Sequence, residues 1–444
     1  MPSATIIMTP KYKLIFLLLA GLPMFCFAQE NSPYSRYGIG NLVPTSNIAN
    51  RGMGGISAGT SDATTVNTVN PASYGNLIYT TLDVGVEYDG RNLKSKEPLG
   101  SYKSNNGIIS YLQLGFPLLN GNKKALKNKT AWAVTFGLKP ISKINYKIQS
   151  SGRNSADSTE VLYEGNGGVN EAFLGTALKI KKFSIGVNTG YLFGEKDYNS
   201  KLLFNNDTVS YVNANYGNNT RFGGIFLTGG IQYEFDLKKN GKKNGVFRIG
   251  AYGDLKKQYS ATRDELRETF NYNSDGSTAT VDSVYEIKDQ KGKVQLPATF
   301  GAGFSFEKEH VLFGIDYETT KWDDYRFFGQ KDVVQNSWVT RAGIQYFPGS
   351  GTGYFNYVRY RAGVSFGKDY IKADNDLPFY TVSVGGAFPL KLKHNFYDHQ
   401  YSVMNLAVEY GNRGNKSNNI TENIYKISLG FSLSDIWFIR QKYQ

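Results

Sequence analysis

Three patterns in this 444-residue chain have residue types and spacing that could carry chemistry. Gly363-Val364-Ser365-Phe366-Gly367 spells the Gly-x-Ser-x-Gly of a hydrolase nucleophile elbow, which works only on a sharp strand-to-helix turn that exposes the serine oxygen. Here it falls inside an alternating run, with Val358, Tyr360, Ala362, Val364 and Phe366 on one face and Arg359, Arg361 and Ser365 on the other, so a regular strand is expected. His399 and Ser402 lie three apart, and on a strand such residues point to opposite faces. His310, His394 and His399 are the only histidines and have no cysteine partners, so no zinc site is expected. Asn271-Tyr272-Asn273-Ser274-Asp275-Gly276, with Asp282 in twelfth place, follows the oxygen spacing of a calcium loop. It begins with Asn, ends with Asp and has no flanking helical pattern; a flexible polar loop is the competing reading. No catalytic residue, metal site or cofactor is assigned, and the chain is not read as an enzyme.

Those patterns sit on elements that repeat along most of the chain. From Tyr79 onward, short stretches alternate apolar and polar residues at period two without helical interruption. Phe183, Ile185, Val187, Thr189, Tyr191 and Phe193 share one face, opposed by Ser184, Gly186, Asn188, Gly190 and Gly194. Tyr425, Ile427, Leu429, Phe431 and Leu433 oppose Lys426, Ser428, Gly430 and Ser432. Each strand has one greasy face and one of glycine and charge. Such alternation suits a soluble sandwich or a membrane barrel equally. Length and aromatic placement favour the barrel: the runs reach the roughly 9 to 11 residues needed to cross a bilayer tilted. Tyr and Phe also gather at their ends, as in Gln345-Tyr346-Phe347.

Fourteen such segments begin near Tyr79, Asn106, Thr130, Val169, Phe183, Phe222, Val246, Val294, Val311, Val333, Phe355, Pro378, Tyr401 and Ile420. Short connections (179–182, 238–245, 307–310, 347–354) alternate with long polar ones (150–168, 196–221, 259–293), as expected if the short set faces the periplasm and the long set the exterior. The even count would return both termini to the periplasm. An all-β, fourteen-stranded antiparallel barrel is therefore expected over 79–444. Its lumen would carry Arg248, Asp254, Asp316, Glu318, Arg341, Arg359, Arg361, Glu409 and Lys426. Either these form mutual salt bridges and hold whatever fills the barrel, or a subset binds a carboxylate or phosphate head group.

Composition agrees with export to an outer membrane. Lys11 and Lys13 precede the apolar run Leu14 to Phe27, and small residues at Cys26 and Ala28 come before Gln29, which reads as a signal peptide over 1–28. Cleavage there removes the only cysteine; lipid attachment at Cys26 is a weaker reading, since Leu22 to Phe25 lacks the small residues it wants. No later segment approaches the roughly 18 apolar residues of a membrane helix. The net charge of +13 falls partly in lysine-rich turns, Lys123, Lys124, Lys127 and Lys129, then Lys179, Lys181 and Lys182, then Lys238, Lys239, Lys242 and Lys243. These suit solvated turns that discourage edge pairing, or attraction to anionic head groups. Nucleic acid is not an expected partner of an exported chain.

Residues 29–78 differ in character, rich in Gly, Ser, Thr and Asn and without sustained alternation. They contain Ser32-Pro33-Tyr34-Ser35-Arg36-Tyr37-Gly38, Arg51-Gly52-Met53-Gly54-Gly55, Asp62 and Asn67-Thr68-Val69-Asn70-Pro71-Ala72-Ser73. The Asn70-Pro71-Ala72 motif ahead of the first strand resembles the N-terminal hatch of FadL/TodX-type outer-membrane transporters. The ending Ser432 to Phe438 resembles the Bacteroidota branch of that family. The resemblance implies a hatch over 29–78 plugging the lumen. In the third segment, Ala131 to Tyr146, Pro140 cannot donate a ladder hydrogen bond, so a bulge or gap is expected there unless it lies above the membrane. The family's third strand kinks to open a lateral hole, and Gly137, Pro140 and Ser142 look similar.

The resemblance implies passive uptake of hydrophobic or amphipathic small molecules with lateral release into the membrane. The alternative is a non-transporting barrel subunit of an outer-membrane assembly or secretion complex. A charged lumen favours the second and Pro140 the first. Expected partners are an apolar or amphipathic ligand, outer-membrane lipids and, on the second reading, other outer-membrane proteins.

Overall fold

The computed structural model describes residues 32–119, 129–154, 157–205, 209, 211–240, 242–373, 375–390 and 401–435. Residues 1–31 with Cys26 and the expected signal peptide, Lys123, Lys124 and Lys127, His394 and His399, and the end of the Ser432 to Phe438 segment lie outside them. Alternation at period two becomes fourteen antiparallel barrel strands. In chain order they are β1 Thr80–Ser95, β2 Gly100–Pro117, β3 Thr130–Asn154, β4 Asp157–Ile180, β5 Phe183–Asn205, β6 Asn213–Lys239, β7 Lys242–Asp254, β8 Thr299–Lys308, β9 Val311–Thr320, β10 Ser337–Tyr346, β11 Arg359–Lys368, β12 Pro378–Pro389, β13 Tyr401–Arg413 and β14 Ile420–Asp435. Each strand pairs with the next, and β14 returns to β1 from Ile420 opposite Ser95 to Asp435 opposite Thr80. Closure of the ring leaves no strand of the barrel as a free sheet edge.

The faces sort as the alternation predicts. Ile427 is 48% exposed while its neighbour Ser428 is fully buried. Ile185, Leu227, Phe313 and Val382 face outward with it, and Ser184, Ser305, Asp316 and Ser383 face the lumen. An apolar exterior around a polar, occupied interior has the arrangement of a membrane barrel.

The two rims differ, but the long connections are not loops. β4 turns into β5 over Lys181-Lys182 and β8 into β9 over Glu309-His310. At the opposite rim, residues 150–168 and 196–221 are largely strand: β3 runs to Asn154 against β4 from Asp157, and β5 runs to Asn205 against β6 from Asn213. Residues 257–296 form a hairpin, Lys257–Tyr272 with Thr278–Leu296, whose first strand pairs with β6. The sequence there is polar on both faces because both are wet, which removes the apolar half of the pattern while leaving backbone pairing intact.

The starts expected near Asn106, Val169, Phe222 and Val246 move earlier, to Gly100, Asp157, Asn213 and Lys242, and three others move later. The eighth strand begins at Thr299 instead of near Val294, because Pro297 separates the hairpin from the barrel. Residues Tyr354–Tyr357 form a 3-10 helix that buries Val358, so β11 starts at Arg359 and Val358 is not outward. Val334 makes an isolated bridge to Ile371, and β10 starts at Ser337.

Candidate functional site

The N-terminal segment occupies the lumen from one rim to the other. Its 3-10 helix Pro33–Arg36 lies at the long-strand rim, where Ser32 donates to Glu422 at 2.5 Å and the Tyr34 hydroxyl to the Ile420 carbonyl at 2.6 Å. The described chain thus starts at that rim, away from the one where β1 begins. The short strand Asn41–Leu42 follows, then a one-turn helix Ile48–Arg51 capped by Asn47, whose side chain accepts from the Asn50 amide at 2.8 Å. The 3-10 helix Pro71–Asn76 delivers the chain to Thr80.

Asn70, Pro71 and Ala72 dock this lower limb. The Asn70 side chain accepts from the Ala72 amide at 3.1 Å and donates to the carbonyls of Ala58 at 2.7 Å and Ile231, in β6, at 3.2 Å. The wall here presents glycine. A Cβ on Gly186 would lie 2.4 Å from the Pro71 carbonyl carbon, and one on Gly250 would lie 1.9 Å from the Ala58 oxygen. The inward glycines of the strand pattern are therefore the bearing surface on which the hatch backbone rests.

Most lumen charges are spent on one another and on the hatch, while Asp254 accepts from the Thr299 amide at 2.7 Å. Arg51, fully buried, binds Glu87 of β1 and Glu409 of β13, its Nε 2.9 Å from Glu409. Burial disfavours that guanidinium's charge, but the two carboxylates outweigh it and hold its pKa above the usual arginine range. Lys426 reaches Glu87 at 3.0 Å. Asp316 accepts from the Ser57 amide and, at 2.8 Å, from that of Ala58. Glu318 takes the Tyr252 hydroxyl at 2.5 Å and Arg341 at 3.2 Å. Arg248 joins Glu234 at 2.9 Å and Glu307 at 2.8 Å. Arg361 donates to Gln345 at 2.8 Å and Asn405 at 2.7 Å. Arg359 holds Asp62 of the hatch at 2.6 Å. Burial raises the Asp62 carboxyl, and Arg359 with Thr64 more than offsets this, leaving it at about 2.

Sequence reasoning missed Arg51, Glu87, Asp89, Arg413 and Glu422 as members of this network. Glu87 and Asp89 sit on the lumen face of β1 at the same period of two that identified the others, so the signal was present in the alternation. Ser365 lies in an unbroken ladder between Arg341 and Thr381, without the turn a nucleophile elbow needs. At the hairpin tip, Asp275 accepts from the Ser277 amide at 2.9 Å, while Asp282 lies back in the strand opposite Thr269, so Asn271 to Asp282 does not wrap one centre. His310 rests against the Phe347 carbonyl at 2.9 Å.

Two seams interrupt the wall. At the first, β2 and β3 pair only from Pro117/Ala133 to Leu112/Leu138, ending beside Gly137. The β3–β4 register then slips between Pro140 and Ser142. Beyond the slip the hatch takes the place of a wall strand: Asn41 pairs with Lys143 and Leu42 with Ser142. The Val43 amide donates to Ile141 at 2.9 Å, and the Ser142 hydroxyl to the Ile39 carbonyl at 2.6 Å. At the second seam, β6 pairs with β7 up to Thr228/Asp254 and with the hairpin from Gly223/Ser260, so four residues of β6 face five of the bend with no ladder between them. A cavity of about 940 Å³ spans the lumen above the hatch helix from Lys139 and Glu171 to Arg413 and Lys426. The long-strand rim over it is closed by a cluster of Tyr34, Ile39, Trp322, Tyr325, Tyr370 and their neighbours.

A closed fourteen-stranded barrel with an apolar exterior and an N-terminal hatch locked into its lumen defines an outer-membrane β-barrel of the FadL type. Solved structures agree at the level of fold. The Pseudomonas putida toluene transporter TodX superposes with a TM-score of 0.52 at 15% identity, covering 89% of this chain and 99% of that one. The CymD monoaromatic hydrocarbon channel gives 0.52 at 14%, covering 90% and 99%. A Pseudomonas aeruginosa FadL homologue gives 0.52 at 12%, covering 90% and 100%. No curated protein matches the chain. Within this architecture the chain belongs to the BamG family, which matches residues 8–444.

Proposed function

We propose that this barrel is a non-transporting subunit of an outer-membrane assembly complex, the BAM complex for which its family is named. The observation that carries this reading is the BamG match across residues 8–444. The geometry supports it. Most charges that would otherwise recognise a head group are paired with one another or with the hatch, Arg361 is held by the wall amides Gln345 and Asn405, the hatch strand Asn41–Leu42 fills the Pro140 seam, and the outer mouth is packed with the chain's own aromatic residues. Export through a signal peptide ending at Ala28, a hatch domain spanning 29–78 and outward placement of the long-strand rim belong to the same reading.

A second reading, passive uptake of hydrophobic or amphipathic small molecules with lateral release at Gly137, Pro140 and Ser142, is favoured by the β2–β3 seam itself. Purification of a tagged chain from native membranes in mild detergent separates the two. Stoichiometric recovery with the assembly machinery, and unchanged uptake of apolar compounds on deletion, is the expected result. Recovery of the barrel alone together with reduced uptake on deletion would overturn it in favour of transport.

A further inference from the structure

The second seam is not closed by the hatch, and cavities on both sides of the wall meet at it. On the membrane face, a groove of about 780 Å³ runs over Gly229, Ala251 and Gly253 between the flanks Leu227, Leu255 and Phe300. Those flanks stand in the outward apolar band, Leu227 at 58% exposure and Leu255 at 76%. Leu227, Tyr252, Gly253, Asp254 and Leu255 line both this groove and the lumen cavity. Of these, Leu227 and Leu255 lie in the stretch between Gly223/Ser260 and Thr228/Asp254 where the ladder between β6 and the bend is missing, and Tyr252, Gly253 and Asp254 form the last ladder pairs beside it. Gly229 leaves the floor open, since an added Cβ there would meet no atom within 4 Å.

We infer that the β6–β7 seam binds a phosphate-bearing membrane lipid, with one acyl chain in the groove over Gly229 and Ala251 and the phosphate at Lys256 and Lys257. The chemistry of each end selects this occupant. In a bilayer a trough with apolar flanks and a floor of Gly and Ala takes a methylene chain, because its lining forfeits dispersion contacts if the space is left empty. Immediately beyond Leu255 in the chain, the exposed Lys256 and Lys257 line the lumen cavity where it meets the trough at Leu255, so a phosphate drawn to them lies on the lumen side of the seam. Among the described residues Lys256 has one loose partner, Asp324 at 3.4 Å with both groups solvated, so its charge remains available. The missing ladder gives the seam room to open, since no strand–strand hydrogen bonds need break for Leu227 and Leu255 to part. The inference does not depend on the assembly reading, because it concerns the outer wall and would hold for either function.

The test uses the full chain reconstituted in nanodiscs containing a phosphatidylglycerol with a diazirine in one acyl chain, with adducts located by peptide mass spectrometry. Adducts around Leu227 and Leu255, scaled by exposed area, should exceed those at the outward Ile427 by fivefold or more. Gly229→Leu, or Ala251→Leu if the first variant fails to show the compact band of unboiled barrel on a gel, should abolish that excess. Lys256→Ala with Lys257→Ala should lower it about threefold. A diazirine diacylglycerol, which lacks the phosphate, should label wild type no better than that double variant. Labelling at the seam equal to that at Ile427, or an excess unchanged by filling the groove, would overturn the proposal. So would an excess that a partner protein removes in the purified complex, which would reassign the groove to an apolar protein segment. Equal labelling by the two lipids would overturn the phosphate half.

Discussion

The two seams have similar causes and different outcomes. At β2–β3 the ladder stops at Leu112/Leu138, and beyond it the hatch supplies Asn41, Leu42 and Val43 to the backbone of Ile141, Ser142 and Lys143. At β6–β7 the ladder stops at Thr228/Asp254, and among the described residues no hatch strand ladders with β6 or the bend across the gap. Proline lies near each: Pro140 within β3, and Pro297 between the hairpin and β8. A proline marks where a wall gives way, but what fills the breach depends on which other segment of the chain reaches it. In hydrocarbon every unpaired backbone group costs several kcal/mol, so a breach must be filled by the chain's own backbone or kept beside polar groups of the lumen.

The largest test of this contrast removes the anchor of the hatch. Arg51→Met leaves Glu87 and Glu409 facing each other without their shared cation, and should cost about 3–5 kcal/mol. It would be read as a lower temperature at which the unboiled band converts to the unfolded one. Loss of the hatch should make the first seam as open as the second. Adding Glu87→Gln and Glu409→Gln should recover most of the loss, whereas no recovery would mean that packing rather than charge anchors the helix.

An arginine scan of the exterior distinguishes intact wall from seam. Ile427→Arg, in a continuous stretch between β13 and β1, should cost about 2–4 kcal/mol if it lies near the bilayer midplane. Leu227→Arg should cost less, because its guanidinium can reach through the missing ladder to the lumen cavity. Equal losses in assembly into liposomes would show that the second seam is shut in the membrane.

A smaller change unseats the hatch strand alone. Gly40 has φ +97°, and a Cβ there would lie 2.5 Å from the Lys143 oxygen. Gly40→Val should therefore cost about 1–3 kcal/mol of local strain. Hydrogen exchange at Leu42 and Val43 should speed up, while Leu227 and its neighbours keep their wild-type rates.

The smallest effect expected is that of pH. Asp62 is held at about 2 in the folded barrel, below the ordinary aspartate value of about 3.9, so its contribution is fully present above pH 4 and is lost as pH falls toward 2. Proteolysis or exchange around Gly59 to Thr65 should rise in that window. In Asp62→Asn the added pH dependence should vanish, with no corresponding change at the second seam.

Much of this was legible along the chain. The period of two in segments such as Phe183 to Phe193 and Tyr425 to Leu433 predicts strands and their membrane-facing sides, because side-chain alternation is a property of the local backbone and a bilayer rewards one face. Pro140 likewise announces a lost donor wherever it stands. The polar extensions of β3 to β6 were not legible, since strands wet on both faces have no apolar period to read. The lumen residues were visible as charged and inward, but not as partners.

The all-β class, the fourteen strands and their facing follow from local pattern and chain order alone, whereas the plug came only from the resemblance carried by Asn70-Pro71-Ala72. Only the tertiary structure decided that Arg51 answers Glu87 and Glu409, that Asn41–Leu42 completes β3, and that the breach beside Leu227 stays unfilled by the hatch. Those depend on which residues meet across a closed ring after hundreds of intervening positions. Neither the spacing nor the type of any one residue carries that information.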